Sequence, residues 1–127
     1  MSDMPEHGRF CWNELMTTDP AAARAFYGTL FGWTYEDGMS DEPYSILSVG
    51  KTEQGGIMPM PPEAGQMPPN WGAYVAVDDV DASARQAEEL GGKILLEPRD
   101  IPHVGRFCVI SDPQGAVLSM ITLSHAH

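Results

Sequence analysis

Basic residues are scarce in this chain: seven Lys and Arg stand against 18 Asp and Glu, a net charge of −11. A surface of that sign repels phosphate backbones, which argues against nucleic acid as a partner. It leaves solubility, or attraction for a cationic ligand, as what the acids do. Cysteine is scarcer still. Cys11 and Cys108 each sit inside an apolar, strand-like run, and the polar start from Met1 to Arg9 has no apolar stretch of the signal-peptide kind. Two such thiols read as buried and reduced, which points to the cytoplasm and away from a disulfide framework. No apolar run approaches the length that crosses a bilayer, so no membrane role is expected. A Ser/His/Asp order, a phosphate-binding loop and a dinucleotide fingerprint are all missing.

What is present is a repeat. With 127 residues, 43% apolar and 9% aromatic, the chain has material for one cored domain or two half-domains. Shifted by sixty positions, Asp19 falls on Asp79, Ala22 on Ala82, Leu30 on Leu90, Gly32 on Gly92 and Gly55 on Gly115. Residues that start and stop elements match, while side chains between them mostly do not.

In the first copy, Phe10–Met16 reads as a strand. Asp19 caps a helix entered through Pro20 and stopped by Gly32. Strands are expected at Trp33–Glu36, Tyr44–Val49 and Gly56–Met60, with a turn over Gly50–Gly55. The second copy gives Gly72–Val77, a helix from Asp78 or Asp79 to Leu90 before Gly91-Gly92, and then Lys93–Glu97. Phe107–Ser111 and Ala116–Leu123 follow, joined by Asp112-Pro113-Gln114-Gly115. Six prolines and glycines in the twelve residues Pro59–Asn70 mark a linker. The fold class is therefore α+β: one domain over 1–127, with βαβββ modules at about 9–60 and 71–123. Curved mixed sheets around a concave cleft would give such modules a shared core and a small-molecule site.

These residues carry a family resemblance. Trp12-Asn13-Glu14-Leu15, Asp19 with Ala25-Phe26-Tyr27, and Leu30-Phe31-Gly32-Trp33 carry it in the first copy. Val75–Val80, Gly91-Gly92, Gly105-Arg106-Phe107 and Asp112-Pro113-Gln114-Gly115 carry it in the second. Over about residues 9–123 the chain resembles the vicinal-oxygen-chelate superfamily of glyoxalase I, extradiol dioxygenases, and bleomycin- and fosfomycin-resistance proteins. More narrowly it is similar to the group related to lactoylglutathione lyase. The resemblance implies a glyoxalase-like fold, a homodimer, and a divalent metal held from the first and last strand of each module.

Carried over one by one, the ligand positions are Trp12 and its repeat mate Gly72 on the first strands, and Pro59 and Ser119 on the last. Trp, Gly and Pro offer no side-chain ligand, and one Ser hydroxyl is a poor one. A slip of one residue brings Asn13, Ala73, Met58 and Leu118; a slip of two brings Glu14 alone. No metal or other cofactor is expected at the usual positions, which withdraws support from glyoxalase, dioxygenase and fosfomycin-transferase chemistry. Metal-free bleomycin-resistance proteins, which sequester a cationic drug, offer one analogy.

The candidate ligand-binding residues are Trp12, Glu14, Tyr74, Arg106 and Ser119. Glu14 shares strand parity with Trp12. Among apolar neighbours a carboxylate is a candidate base or a seat for a cation; otherwise it is a solvated strand residue. Tyr74 is the repeat mate of Glu14, with core packing as its plainer role. His103 is a second acid–base candidate beside the strand that starts near Arg106, or an ordinary loop His. Arg106 either meets an anionic substrate or pairs with an acid. His7, His125 and His127 fall in tails expected to fray. Met58, Met60 and Met67 read as packing or lining, and Cys108 has no activating neighbour in sequence. The expected function is binding of a small molecule in the cleft without the usual metal. The alternatives are a lyase- or isomerase-type enzyme, using Glu14 as base or a non-standard metal site with His103, and an acidic drug-sequestering protein.

Overall fold

The computed structural model describes residues 5–38, 44–62, 67–101 and 104–124. Among them are eight strands and two α-helices. Their order is β1 (Phe10–Thr17), α1 (Pro20–Phe31), β2 (Thr34–Asp37), β3 (Ser45–Val49), β4 (Thr52–Pro59), β5 (Asn70–Ala76), α2 (Val80–Glu89), β6 (Lys93–Ile101), β7 (Gly105–Ser111) and β8 (Val117–Leu123). The α+β class and the doubled βαβββ order are those the punctuation of the sequence implied. By internal contacts the chain divides into a unit of Trp12–Gly72 and a unit of Met1–Cys11 with Ala73–His127.

In the first unit the strands run β2-β3-β4-β1, antiparallel except for the parallel β1–β4 pair that α1 connects. Asp19 starts α1 as expected: its carboxylate accepts the Ala22 N–H at 3.0 Å, a cap worth about 1 kcal/mol. Pro20 takes the first helical position, and Gly32, in the left-handed region at φ 76°, donates its N–H to the Gly28 carbonyl and ends the helix. Ala23 and Tyr27 of α1 pack with Trp33 and Tyr35 on a core of Leu15, Leu47 and Ile57.

The second unit repeats the plan in the order β5-β8-β7-β6, with β5 and β8 parallel. The Asp79 carboxylate caps α2 by accepting from the Asp81 and Ala82 N–H groups. Val80 and Ala84 of that helix are buried with Val77, Cys108 and Met120. The N-terminal segment belongs to this unit. Gly8 N–H donates to the Ala76 carbonyl and Ala76 N–H to the Arg9 carbonyl, while His7 Nδ1 accepts the Asp78 N–H at 2.9 Å. His7 is thus tied down, contrary to the expectation of a frayed tail; His125 and His127 lie outside the described residues.

Several element boundaries differ from the sequence reading, and β5 begins at Asn70, two residues before its expected start. β4 begins at Thr52, inside the expected turn, because the β3 backbone pairs with Thr52–Gly55 despite their weak strand propensity. Gly55 is required there, since a Cβ would strike the Asn13 backbone carbonyl. β6 continues through Pro98 to Ile101, which an edge strand tolerates, with register shifts between Ile94 and Arg99. β7 starts at Gly105, two residues before its expected start. Of the expected linker Pro59–Asn70, the first residue closes β4 and the last opens β5.

Pairing also refines the repeat. Glu14 lies opposite Gly56, and Tyr74, sixty residues after Glu14, lies opposite Ser119. First strands and helix N-caps keep the sixty-residue offset, but the last strands are sixty-three apart. The place in β4 equivalent to Ser119 is therefore Gly56. Pro59, taken from a constant offset, sits further along the strand opposite Thr17.

Candidate functional site

Alternation along β1 sends Leu15 to the helix-covered face and Trp12 and Glu14 to the other. Glu14 is 8% exposed. A carboxylate so far from water requires hydrogen-bond partners, and one comes from Tyr44, just ahead of β3. The Tyr44 hydroxyl donates to Glu14 Oε2 at 2.9 Å. The Tyr44 hydroxyl oxygen in turn accepts the Trp12 indole N–H at 2.9 Å. The phenol lies over Gly56, where any Cβ would collide with the Tyr44 ring and hydroxyl. A side chain in β4 and the Tyr44 phenol exclude each other, and this chain has the phenol.

Burial, and secondarily the negative charge of Glu14, hold the Tyr44 hydroxyl well above the ordinary tyrosine range. Tyr44 is consequently a neutral donor throughout the physiological range, fixed from one side by an N–H and from the other by a carboxylate. Such a cluster can orient a carboxylate toward a ligand cation or an acidic C–H, with the phenol steadying the charge.

Tyr44 is the residue that sequence reasoning missed. It stands thirty residues from Glu14, behind a turn, and was legible only as the start of a strand.

In the other unit, Tyr74 and Ser119 are both buried and stand opposite each other on parallel strands. The Tyr74 ring lies 6.1 Å from that of Phe107. These residues occupy the sheet face away from α2, since Cys108 and Met120 supply the helix-covered face. Arg106 does the second of the two things open to it. Its Nε and Nη2 donate to the two carboxylate oxygens of Asp81 at 2.8 and 3.1 Å, and Nη1 donates to Asp100 at 3.2 Å. The hydrogen-bonded Asp81 raises its pKa further, and Arg106 in turn holds Asp81 below the usual carboxylate range. An anionic ligand would have to compete with both acids.

His103 lies outside the described residues. Cys108 is fully buried, and burial pushes its thiol up to about 11, which removes it as a nucleophile near neutrality.

The metal implied by the resemblance finds a poor donor set. The four strand positions, with the pairing corrected, hold Trp12, Gly56, Gly72 and Ser119. Among the described residues no three His, Cys, Asp or Glu side chains converge. These residues do not fit a divalent cation of the family's kind.

Comparison with known proteins agrees with this architecture. Residues 9–120 match the family described as the glyoxalase/bleomycin resistance protein/dioxygenase superfamily. "Putative glyoxylase CFP32" of Mycobacterium tuberculosis is 46% identical over 118 residues, covering 91% of this chain and 44% of that protein. The anthracycline biosynthesis protein DnrV of Streptomyces peucetius is 35% identical over 121 residues, covering 94% and 43%. The chain thus spans a little under half the length of these curated relatives. Among solved structures, methylmalonyl-CoA epimerase from Mycobacterium tuberculosis superposes with a TM-score of 0.65 at 16% identity, covering 98% of this chain and 93% of that one. At that identity the likeness is one of fold.

Proposed function

The chain belongs to the glyoxalase/bleomycin resistance protein/dioxygenase superfamily, and from that premise we propose that it binds a small organic molecule through Glu14 without a divalent metal. The observation that carries this reading is the Trp12–Tyr44–Glu14 cluster over Gly56. A phenol held by two hydrogen bonds fills the space a metal-binding side chain would need, and leaves a buried carboxylate as the reactive or recognising group. Trp12, Glu14 and Tyr44 are the proposed ligand-binding residues of the first unit, Tyr74 and Ser119 those of the second. Arg106 contributes only where a ligand displaces its acids. The protein acts in the cytoplasm as a homodimer on this reading; among the described residues, no helix is long and apolar enough to cross a membrane.

A second reading has Glu14 as the general base of a lyase- or isomerase-type reaction. The fold-level neighbour named as an epimerase supports it by analogy only. Glu14 would take a proton from a carbon beside a carbonyl, the electron pair passing to the carbonyl oxygen, and return the proton to the other face or another atom. The relatives named for anthracycline biosynthesis favour a bulky polycyclic ligand over a small acid.

Metal analysis of untagged protein, purified without chelator, tests the central claim. Stoichiometric zinc, nickel, iron or manganese would sink it. A thermal-shift screen with and without EDTA, run on the chain and on Glu14→Gln, then identifies the ligand class. Hits that survive EDTA and vanish in Glu14→Gln are expected. A hit that weakens as salt is raised marks a cationic ligand of the drug-sequestering kind.

A further inference from the structure

Basic residues are few in this chain, so where they stand is informative. β5, β7 and β8 carry one charged residue among them, Arg106. Its ion pair with Asp81 of α2 fixes it on the helix-covered face of the sheet. The opposite face of these strands is uncharged, with Tyr74, Ser119 and Ile121 buried and Phe107 and Val109 half-buried. Charge is brought to that face by β6, the edge strand that pairs with β7.

Register decides which β6 charges those are, because side chains directly opposite each other across an antiparallel pair share a face. Asp100 lies opposite Arg106 and accepts its Nη1–H at 3.2 Å, which puts Asp100 on the helix-covered side. Arg99, one residue earlier, lies opposite Phe107 and so joins Tyr74 and Ser119 on the other side. Its neighbour Phe107 is the ring that lies 6.1 Å from Tyr74. Glu97 follows Leu96, which pairs with Val109. Alternation returns Glu97 to the helix side, where its charge acts on buried Cys108. Lys93, opposite Ser111, is the second cation of the uncharged face, at the far end of the strand. In a chain with 18 acids and seven bases, the acids of β6 turn toward α2 and its two cations turn away from it.

We propose that this face of the second unit binds an organic anion, an apolar, ring-bearing molecule laid on Phe107 and Val109 with its acidic group on the Arg99 guanidinium. A guanidinium has five N–H donors in a planar fork, enough to take both oxygens of a carboxylate while keeping a contact within the chain. Arg99 is thus the anion-binding arginine, the part Arg106 cannot play while Asp81 and Asp100 hold it. The proposal rests on the reading of Tyr74 and Ser119 as ligand-binding residues and adds the charge of the ligand. It speaks against the drug-sequestering alternative, which needs a cation.

Two dyes that share their rings test it: anilinonaphthalene sulfonate, an anion, and phenylnaphthylamine, which lacks the sulfonate. Both brighten in apolar surroundings, so fluorescence titration of the folded chain gives a dissociation constant for each. A chain of net charge −11 repels anions at long range, so attraction for the sulfonate has to be local. Arg99→Gln should weaken sulfonate binding about tenfold and leave the amine within about twofold. Arg99→Lys should recover part of the loss. Arg85→Gln, the same change of charge placed on α2, should move neither dye. Phe107→Ala should weaken both, with Val109→Ala in its place if circular dichroism shows the first variant unfolded. Sulfonate that fails to bind, or that binds wild type and Arg99→Gln alike, overturns the proposal. If the Phe107 or Val109 variant still weakens both dyes in that case, the face stands as a binding site without the charge preference. Dyes indifferent to those variants as well would remove the face itself, so the two readings fail separately.

Discussion

Replacing Tyr44 with Phe removes a single oxygen, which makes it the sharpest probe of the cluster. That oxygen donates to the buried Glu14 carboxylate and accepts from the Trp12 indole. A hydrogen bond to a charged group contributes roughly 1.5–3 kcal/mol and a neutral one about 0.5–1.5 kcal/mol. Loss of the hydroxyl also spares its own desolvation, so the net cost should fall at about 2–3 kcal/mol. Glu14→Gln keeps an acceptor for the phenol but gives up the charge that strengthens the bond. If the two side chains act on each other, the double variant should show a coupling of about 1–2 kcal/mol, well outside additive error. Urea unfolding followed by tryptophan fluorescence and circular dichroism measures all four corners. The m-value should stay constant, which certifies that stability has changed and the denatured state has not. A cost for Tyr44→Phe under about 0.5 kcal/mol, or additivity of the pair, would show that the contact is incidental. The same result would remove the support that the cluster gives to the proposed function.

Alkaline titration should report on the same group, with Tyr44→Phe separating it from Tyr35, whose hydroxyl burial also raises. The chain has four tyrosines, and absorbance near 295 nm should show Tyr44 still protonated where a free phenol has ionised. Its folded pKa is raised above 10, so its contribution to stability is intact below about pH 10 and declines above it; Tyr44→Phe should blunt that decline. On the acid side the sign reverses. Arg106 lowers the Asp81 pKa from 3.8, so its stabilising effect is present above that value and fades as pH falls further. Wild type and Asp81→Asn should therefore converge in stability below about pH 4, and a constant gap down to acid pH would refute the pairing. Cys108 should resist iodoacetamide at pH 8 in the native state and react on unfolding, because its thiol is fully buried and its pKa is about 11. Equal native and denatured rates would contradict that burial.

The architecture was legible because local chemistry at element ends is strong and close in sequence. Asp19, Pro20 and Gly32 each impose a backbone state on their own neighbours, and Asp79 does the same for α2. Where the expectation slipped, the deciding partner was distant. Thr52–Gly55 became a strand because β3 pairs with it, and Pro98 stayed in β6 because an edge strand lacks a neighbour on one side.

The site divides along the same line. Alternation placed Trp12 and Glu14 on one face, since both are on β1. The side chain that joins them, Tyr44, is brought in by tertiary pairing across thirty residues and announces itself by no spacing. The repeat compounded this. A constant offset of sixty holds for the first strands and the helix N-caps, but the three extra residues ahead of β8 move the partner of Ser119 from Pro59 to Gly56. Only at Gly56 does the lack of a side chain acquire a physical meaning. Proline at that place would have suggested a ligand lost by drift. Glycine beneath a phenol shows two side chains competing for one volume, and here the space belongs to Tyr44.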